Sequence, residues 1–158
     1  MKVLENGFWS GIMATGPMTL WMLATDPEGK PLPPAQLTDE LTPDKVKPNT
    51  PESRGDLSLL SHFAFGIGAA TIYSFIASIK PPSRANHALI YGSAFGFGVW
   101  ATSYLGWIPA MNLKAKAKEQ SLGRNAMMIT AHLIWGSAVG YSEFKLRSAG
   151  ERLLDGKG

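Results

Sequence analysis

Histidine occurs three times in this chain and cysteine not at all, so metal-binding or proton-carrying chemistry falls first on His62, His87 and His132. Two of the three share a context. Ser61-His62-Phe63-Ala64-Phe65-Gly66 and Ala131-His132-Leu133-Ile134-Trp135-Gly136 both read small-His-xxx-Gly. Two imidazoles at matched depth on parallel helices are the ligand set of a b-type haem, and Gly66 and Gly136 would clear space for the macrocycle. The same pair suits a single metal ion. A plainer use is also available: a histidine one turn from a glycine reaches the backbone carbonyl of a closely packed neighbouring helix, an interaction worth about 0.6 kcal/mol. That packing use, with no cofactor and no metal, is the leading expectation. His87, just after Arg84, reads as an interfacial residue.

Other chemistry finds few residues to carry it. Gly66-Ile67-Gly68 and Gly96-Phe97-Gly98 resemble fragments of a nucleotide loop, but no strand precedes them and neither completes GxGxxG. Every Asp lies in a loop or the tail, so no Ser-His-Asp triad converges. The chain is therefore expected not to be an enzyme. Without cysteine there is no disulfide framework or thiolate site.

The elements that must position the histidines follow from where charge is missing. Asp, Glu, Lys and Arg are absent from residues 6–25, 57–79, 85–113 and 125–142. Each stretch is near or above the roughly 20 residues a helix needs to cross a bilayer. The spacing predicts an all-α membrane protein with four transmembrane helices at 7–25, 57–79, 87–110 and 125–143. The mean hydropathy of -0.01 hides this, because the charges crowd between the runs. Lys80, Arg84, Lys114, Lys116, Lys118, Arg124, Lys145 and Arg147 flank the helix ends, where cations meet headgroups. The net charge of +3 is thereby explained by membrane lipids, and no nucleic acid is expected. Trp9, Trp21 and Trp107 suit an interfacial belt, whereas Trp100 and Trp135 sit nearer mid-helix.

Each predicted helix carries a small-xxx-small pair: Gly7 and Gly11, Gly66 and Ala70, Gly92 and Gly96, Gly136 and Gly140. No hydrophobic force drives helices together in lipid, so close approach at small residues supplies the association. Helices one and three both open on GxxxG and carry an Ala-Thr pair, while helices two and four share the histidine pattern. The chain thus reads as two repeated two-helix hairpins running in the same direction. His62 and His132 then enter from one side, about 8 and 10 Å along their helices at ~1.5 Å per residue.

Residues 1–158 are read as a single domain. Pro17 predicts a kink in the first helix, with Thr15 and Thr19 placed to satisfy the freed carbonyls. The 26–56 connection, holding seven of the eleven prolines, predicts a long, mostly extended extramembrane loop with at most one amphipathic turn over Leu37 to Leu41. The segment 143–155 reads as a surface helical tail, with Glu143 and Arg147 four apart. Lysine and arginine number seven on the side of the termini and eight on the other, and the leaning is towards cytoplasmic termini.

With Lys30-Pro31-Leu32-Pro33-Pro34 after the first helix and Ala131-His132-Leu133-Ile134-Trp135 in the last, the chain resembles the YagU-like bacterial inner-membrane proteins. That resemblance implies a multi-pass protein of the bacterial cytoplasmic membrane with no catalytic residues to transfer. The functional expectation is a non-catalytic accessory or assembly subunit that packs against other membrane protein subunits. A bis-histidine membrane cytochrome using His62 and His132 is the alternative, and a small-solute carrier formed between the hairpins is the third.

Overall fold

The computed structural model describes residues 2–26, 31–113, 116–154 and 156. Lys30, Lys114 and Asp155 lie outside the described residues, as do the side chains of Leu153 and Leu154. The described chain is all-helical: α1 (Lys2–Thr25), α2 (Pro33–Leu41), α3 (Pro51–Ile79), α4 (Ala85–Ala101), a π-helical segment (Thr102–Trp107), the single turn α5 (Ile108–Ala110), a 3-10 turn (Ala117–Glu119) and α6 (Leu122–Leu154).

The four long helices form two antiparallel hairpins. In the first, Gly7 and Gly11 of α1 lie against Thr71 and Ile67 of α3; a methyl on Gly11 would stand 2.6 Å from the Ile67 Cα. In the second, Gly92 and Gly96 of α4 meet Gly136 and Gly140 of α6, and a methyl on Gly96 would stand 2.9 Å from the Gly136 Cα. Ser93 and Ser137 bridge this second seam through a 2.6 Å hydroxyl contact. Bare backbone on both sides permits such an approach.

The hairpins join through α1 and α6. Lys2 Nζ donates to Gly150 O at 3.4 Å, Trp135 Nε1 to Thr15 Oγ1 at 3.3 Å, and Arg124 lies 3.4 Å from Asp26 Oδ1, so these two helices run antiparallel along their whole length. An exact repeat would pack α4 against α3 as closely as α1 packs against α6. It does not: α3 barely touches α4 or α6, and the bundle is left open on that side.

The exterior is inverted relative to that of a water-soluble protein, while an apolar core including Met18, Met22, Ile108, Met128 and Val139 is buried together with several polar groups. Ser10, Thr15, Ser74, Arg124 and Glu143 are fully buried, while Ile79 is 74% exposed, Leu20 and Leu60 68%, and Phe75 and Ile90 61%. Among the described residues, Pro51–Ile79 alone is long and apolar enough to cross a membrane by length and composition. The other long helices substitute glycine, serine, threonine, tryptophan and histidine for large aliphatics, which lowers their mean hydropathy.

Several expectations need correction. The 26–56 connection is not mostly extended: Pro33 and Pro34 occupy the first turn of α2, where their missing N–H groups cost nothing. Thr38 lies inside α2, and its hydroxyl bonds back to Pro34 O at 2.9 Å. Helix α3 starts at Pro51, six residues before the charge-free run, because the Thr50 side chain caps it by accepting from Ser53 N. Around Pro17, α1 stays continuous, and Thr15 and Thr19 bond to Gly11 O and Thr15 O, both at 2.8 Å, rather than to the carbonyl of Met13. Helix α6 runs unbroken through the 143–154 segment, and Glu143 within it is fully buried and paired with Arg147. Arg124 does not snorkel to headgroups; it is fully buried.

Candidate functional site

The open side of the bundle holds a cavity of about 240 Å³ between α3 and the end of α4, and both histidines of the repeated pattern, His62 and His132, line it. Helix α2 lies over its outer end with Pro34, Leu37 and Leu41. The walls are mostly aromatic and apolar, with Phe65 from α3, Tyr104 and Trp107 from the π-helical segment, and Met128 and Trp135 from α6, and they also carry the hydroxyl side chains of Thr15, Thr38, Thr42, Ser61 and Ser103.

Pro109 explains why those aromatic residues point inward. A proline has no N–H to give and its ring crowds the carbonyl four residues back. The turn before it widens, so that Ile108 N–H bonds to Ser103 O, five residues back, a local π geometry that often accompanies functional sites. The widened turn buries Ser103 and Tyr104. Trp100 stacks on Tyr104 at 6.4 Å between centroids, and Tyr104 meets the His132 ring edge-on at 5.9 Å. The helix then stops at Asn112, whose φ of 56° is left-handed, a conformation asparagine tolerates.

The two histidines are held differently. His132 bonds through Nδ1 to Met128 O at 2.8 Å, on its own helix. A carbonyl only accepts, so Nδ1 carries the proton and, in the neutral ring, Nε2 carries the lone pair. His62 leaves Nε2 buried with no hydrogen-bond partner. Neither arrangement is the bond to a neighbouring helix's carbonyl that the packing use predicts. His87 stands apart on the surface, 3.2 Å from Ser83 Oγ.

His62 and His132 line one cavity, which at about 240 Å³ is smaller than a porphyrin. Among the described residues no three His, Asp or Glu side chains cluster for a metal ion. His62→Gln is expected to change stability by less than about 0.5 kcal/mol, and His132→Gln to cost about 1 kcal/mol for the lost Met128 bond. The two rings share no hydrogen-bond partner, so the losses should add. Thermal unfolding of the single and double variants in detergent checks this, and a double variant no worse than either single one would instead indicate a shared ligand.

The small-residue candidates divide between two jobs. Gly7, Gly11, Gly92, Gly96, Gly136 and Gly140 lie at backbone crossings, whereas Gly66 faces the Thr15 hydroxyl and Trp135 Nε1 at the cavity wall. Sequence reasoning missed α2 and the π-helical turn as parts of the site. Pro109 and the Pro33-Pro34 pair are the signals that point to them.

Residues 22–140, about three quarters of the chain, match the model of the family described as a protein of unknown function (DUF1440), and the chain belongs to that family. No curated protein and no solved structure matches it.

Proposed function

Membership of the DUF1440 family supplies no chemistry, and we propose from the geometry that this is a four-span integral protein of the bacterial cytoplasmic membrane acting as a non-catalytic accessory subunit. The inverted exterior carries the reading. Large aliphatic and aromatic side chains face outward on every long helix, from Leu20 on α1 and Phe75 on α3 to Ile90 on α4 and Leu133 on α6, while hydroxyl, guanidinium and carboxylate groups are packed inside. In water that arrangement would be unfavourable by roughly 1.5–3 kcal/mol for each large side chain left out; in hydrocarbon it is the stable one. The helix lengths agree, since α3 with 29 residues and α6 with 33 span about 43 and 50 Å at 1.5 Å per residue. The family match fits the YagU-like resemblance, from which the cytoplasmic-membrane assignment comes.

The accessory role rests on what the polar side chains do. Ser10, Thr15, Thr19 and Thr71 bond to carbonyls of their own helices, and Ser93 and Ser137 join two helices, so these groups serve helix packing. Membrane protein subunits and lipids are the partners this exterior fits.

Cysteines introduced at Thr50 and Lys116 should label from one face of sealed vesicles, and one at Ser148 from the opposite face. Labelling of Thr50 and Lys116 from opposite faces would end the four-span reading.

A further inference from the structure

We propose that the cavity beside His62 and His132 is a binding site for a neutral, single-ring aromatic molecule carrying a hydroxyl group, entered from the bilayer between α3 and α4. Three observations carry it. The cavity, about 240 Å³, exceeds the roughly 150 Å³ that admits benzene in an apolar protein interior, so a substituted ring fits. Its wall presents the Tyr104, Trp107 and Trp135 rings, which favour offset or edge-on contact with another aromatic ring.

The polar atoms then define the substituent. His62 Nε2 is buried without a partner, and the neutral His132 ring, with its proton committed to Met128 O, offers only a lone pair at Nε2. Competing hydroxyls at the α2 end are occupied as donors, Thr38 by Pro34 O and Thr42 by Thr38 O. A ligand O–H donating to one imidazole nitrogen satisfies a group that is otherwise costly to bury. Among the described residues no Lys, Arg, Asp or Glu lines the cavity, so they offer a charged ligand no ionic partner.

Entry follows from the broken repeat. Helices α3 and α4 barely touch, and Phe65, half exposed at 51%, stands at the gap. The opposite end is covered by α2. A ring arriving through lipid therefore reaches the histidines without crossing the aqueous loop.

The chemistry is shared by two sources, a free phenol and the quinol head of a membrane-borne lipid. The inference rests on the four-span reading for its route of entry, and vesicle labelling tests that reading separately from any ligand. The full chain in detergent micelles, titrated calorimetrically with 2,6-dimethylphenol and with its O-methyl ether, tests the site. We expect saturable one-to-one binding of the phenol, binding of the ether at least tenfold weaker, and a tenfold or greater loss for phenol in His62→Phe with the thermal transition of that variant unchanged. A second variant, Leu37→Trp, fills the space from the lid side and should also abolish binding. Equal affinity for phenol and ether, unsaturable partitioning, or undiminished binding by both folded variants would overturn the proposal. A quinol lipid extracted from the wild type and missing from Leu37→Trp assigns the membrane source; saturable phenol binding without such a lipid assigns the free one.

Discussion

Replacing Gly136 by leucine is expected to separate the α4–α6 hairpin and abolish the folded protein, whereas Leu89→Ala should be nearly silent. At Gly136 even a methyl group would lie 2.8 Å from the Gly96 Cα and 2.9 Å from its N. Those neighbours are backbone atoms of a long helix, which cannot turn aside as a flexible side chain can. Overpacking in cores that can adjust typically costs about 1–3 kcal/mol; here the helices must move apart by a whole side chain, and the contacts on either side of the crossing go with it. The Ser93–Ser137 bridge, one residue past Gly136 on α6 and three before Gly96 on α4, would be lost in the same step. Gly96→Leu should behave alike, since the crossing is reciprocal. Leu89 is 40% exposed on the outer face, so its truncation should cost no more than about 0.5 kcal/mol. Gly98→Ala is a sharper control: it sits two residues from Gly96, but a methyl there meets nothing within 4 Å. Retention of a monodisperse, thermally cooperative species in detergent distinguishes the variants. A Gly136→Leu protein melting like the parent would show that the seam does not hold the hairpin together.

The glycine seams were legible because their signal is local: a spacing of four returns to the same helix face, and at Gly92, Gly96, Gly136 and Gly140 the matching runs on two helices identify each other as partners. The long helices were legible for a similar reason, as charge-free runs. Their ends were less so. Helix α3 begins at Pro51 because Thr50 caps it, although Glu52, Arg54 and Asp56 follow; a charge count ends the membrane run but does not end a helix. The candidate site was half legible. The repeated small-His-xxx-Gly context placed His62 and His132 at one depth, and both line one cavity. What made the cavity was the failure of the repeat, with α1 packed on α6 but α3 parted from α4, and nothing in either copy's pattern announces which equivalent pair will separate. The covering helix α2 was hidden by its composition, since prolines that break a helix interior are compatible with its first turn.

Buried charge was the least legible feature, and it leads to the second large effect expected. Arg124 sits one residue before a charge-free run, the usual place for a headgroup contact, yet its side chain is fully buried at the start of α6. One guanidinium nitrogen donates to Pro31 O and another lies 3.4 Å from Asp26 Oδ1, so a single side chain ties the end of α1 to the start of α2, the helix that covers the cavity. Removing one partner of a buried ion pair costs about 3–5 kcal/mol, largely because a charge remains without its counter-ion. Arg124→Ala is therefore expected to lower the thermal stability of the detergent-solubilised protein by that amount and to accelerate tryptic cleavage after Lys45, in the segment that follows α2. Lys47 normally holds Asp39 at 3.3 Å, a contact that keeps this segment folded against α2. Arg124→Lys should be intermediate: an ammonium retains the charge but lacks the planar fork that reaches two acceptors at once. The decisive comparison is Asp26→Asn combined with Arg124→Met. If the charge left behind is what destabilises Arg124→Ala, removing both charges should recover part of the stability. The Pro31 carbonyl still lacks its donor in that double variant, so α2 should remain loosely held and the chain readily cut after Lys45. Unaltered melting and cleavage in Arg124→Ala would show that the loop is held over the cavity by α2's contacts with α3 alone.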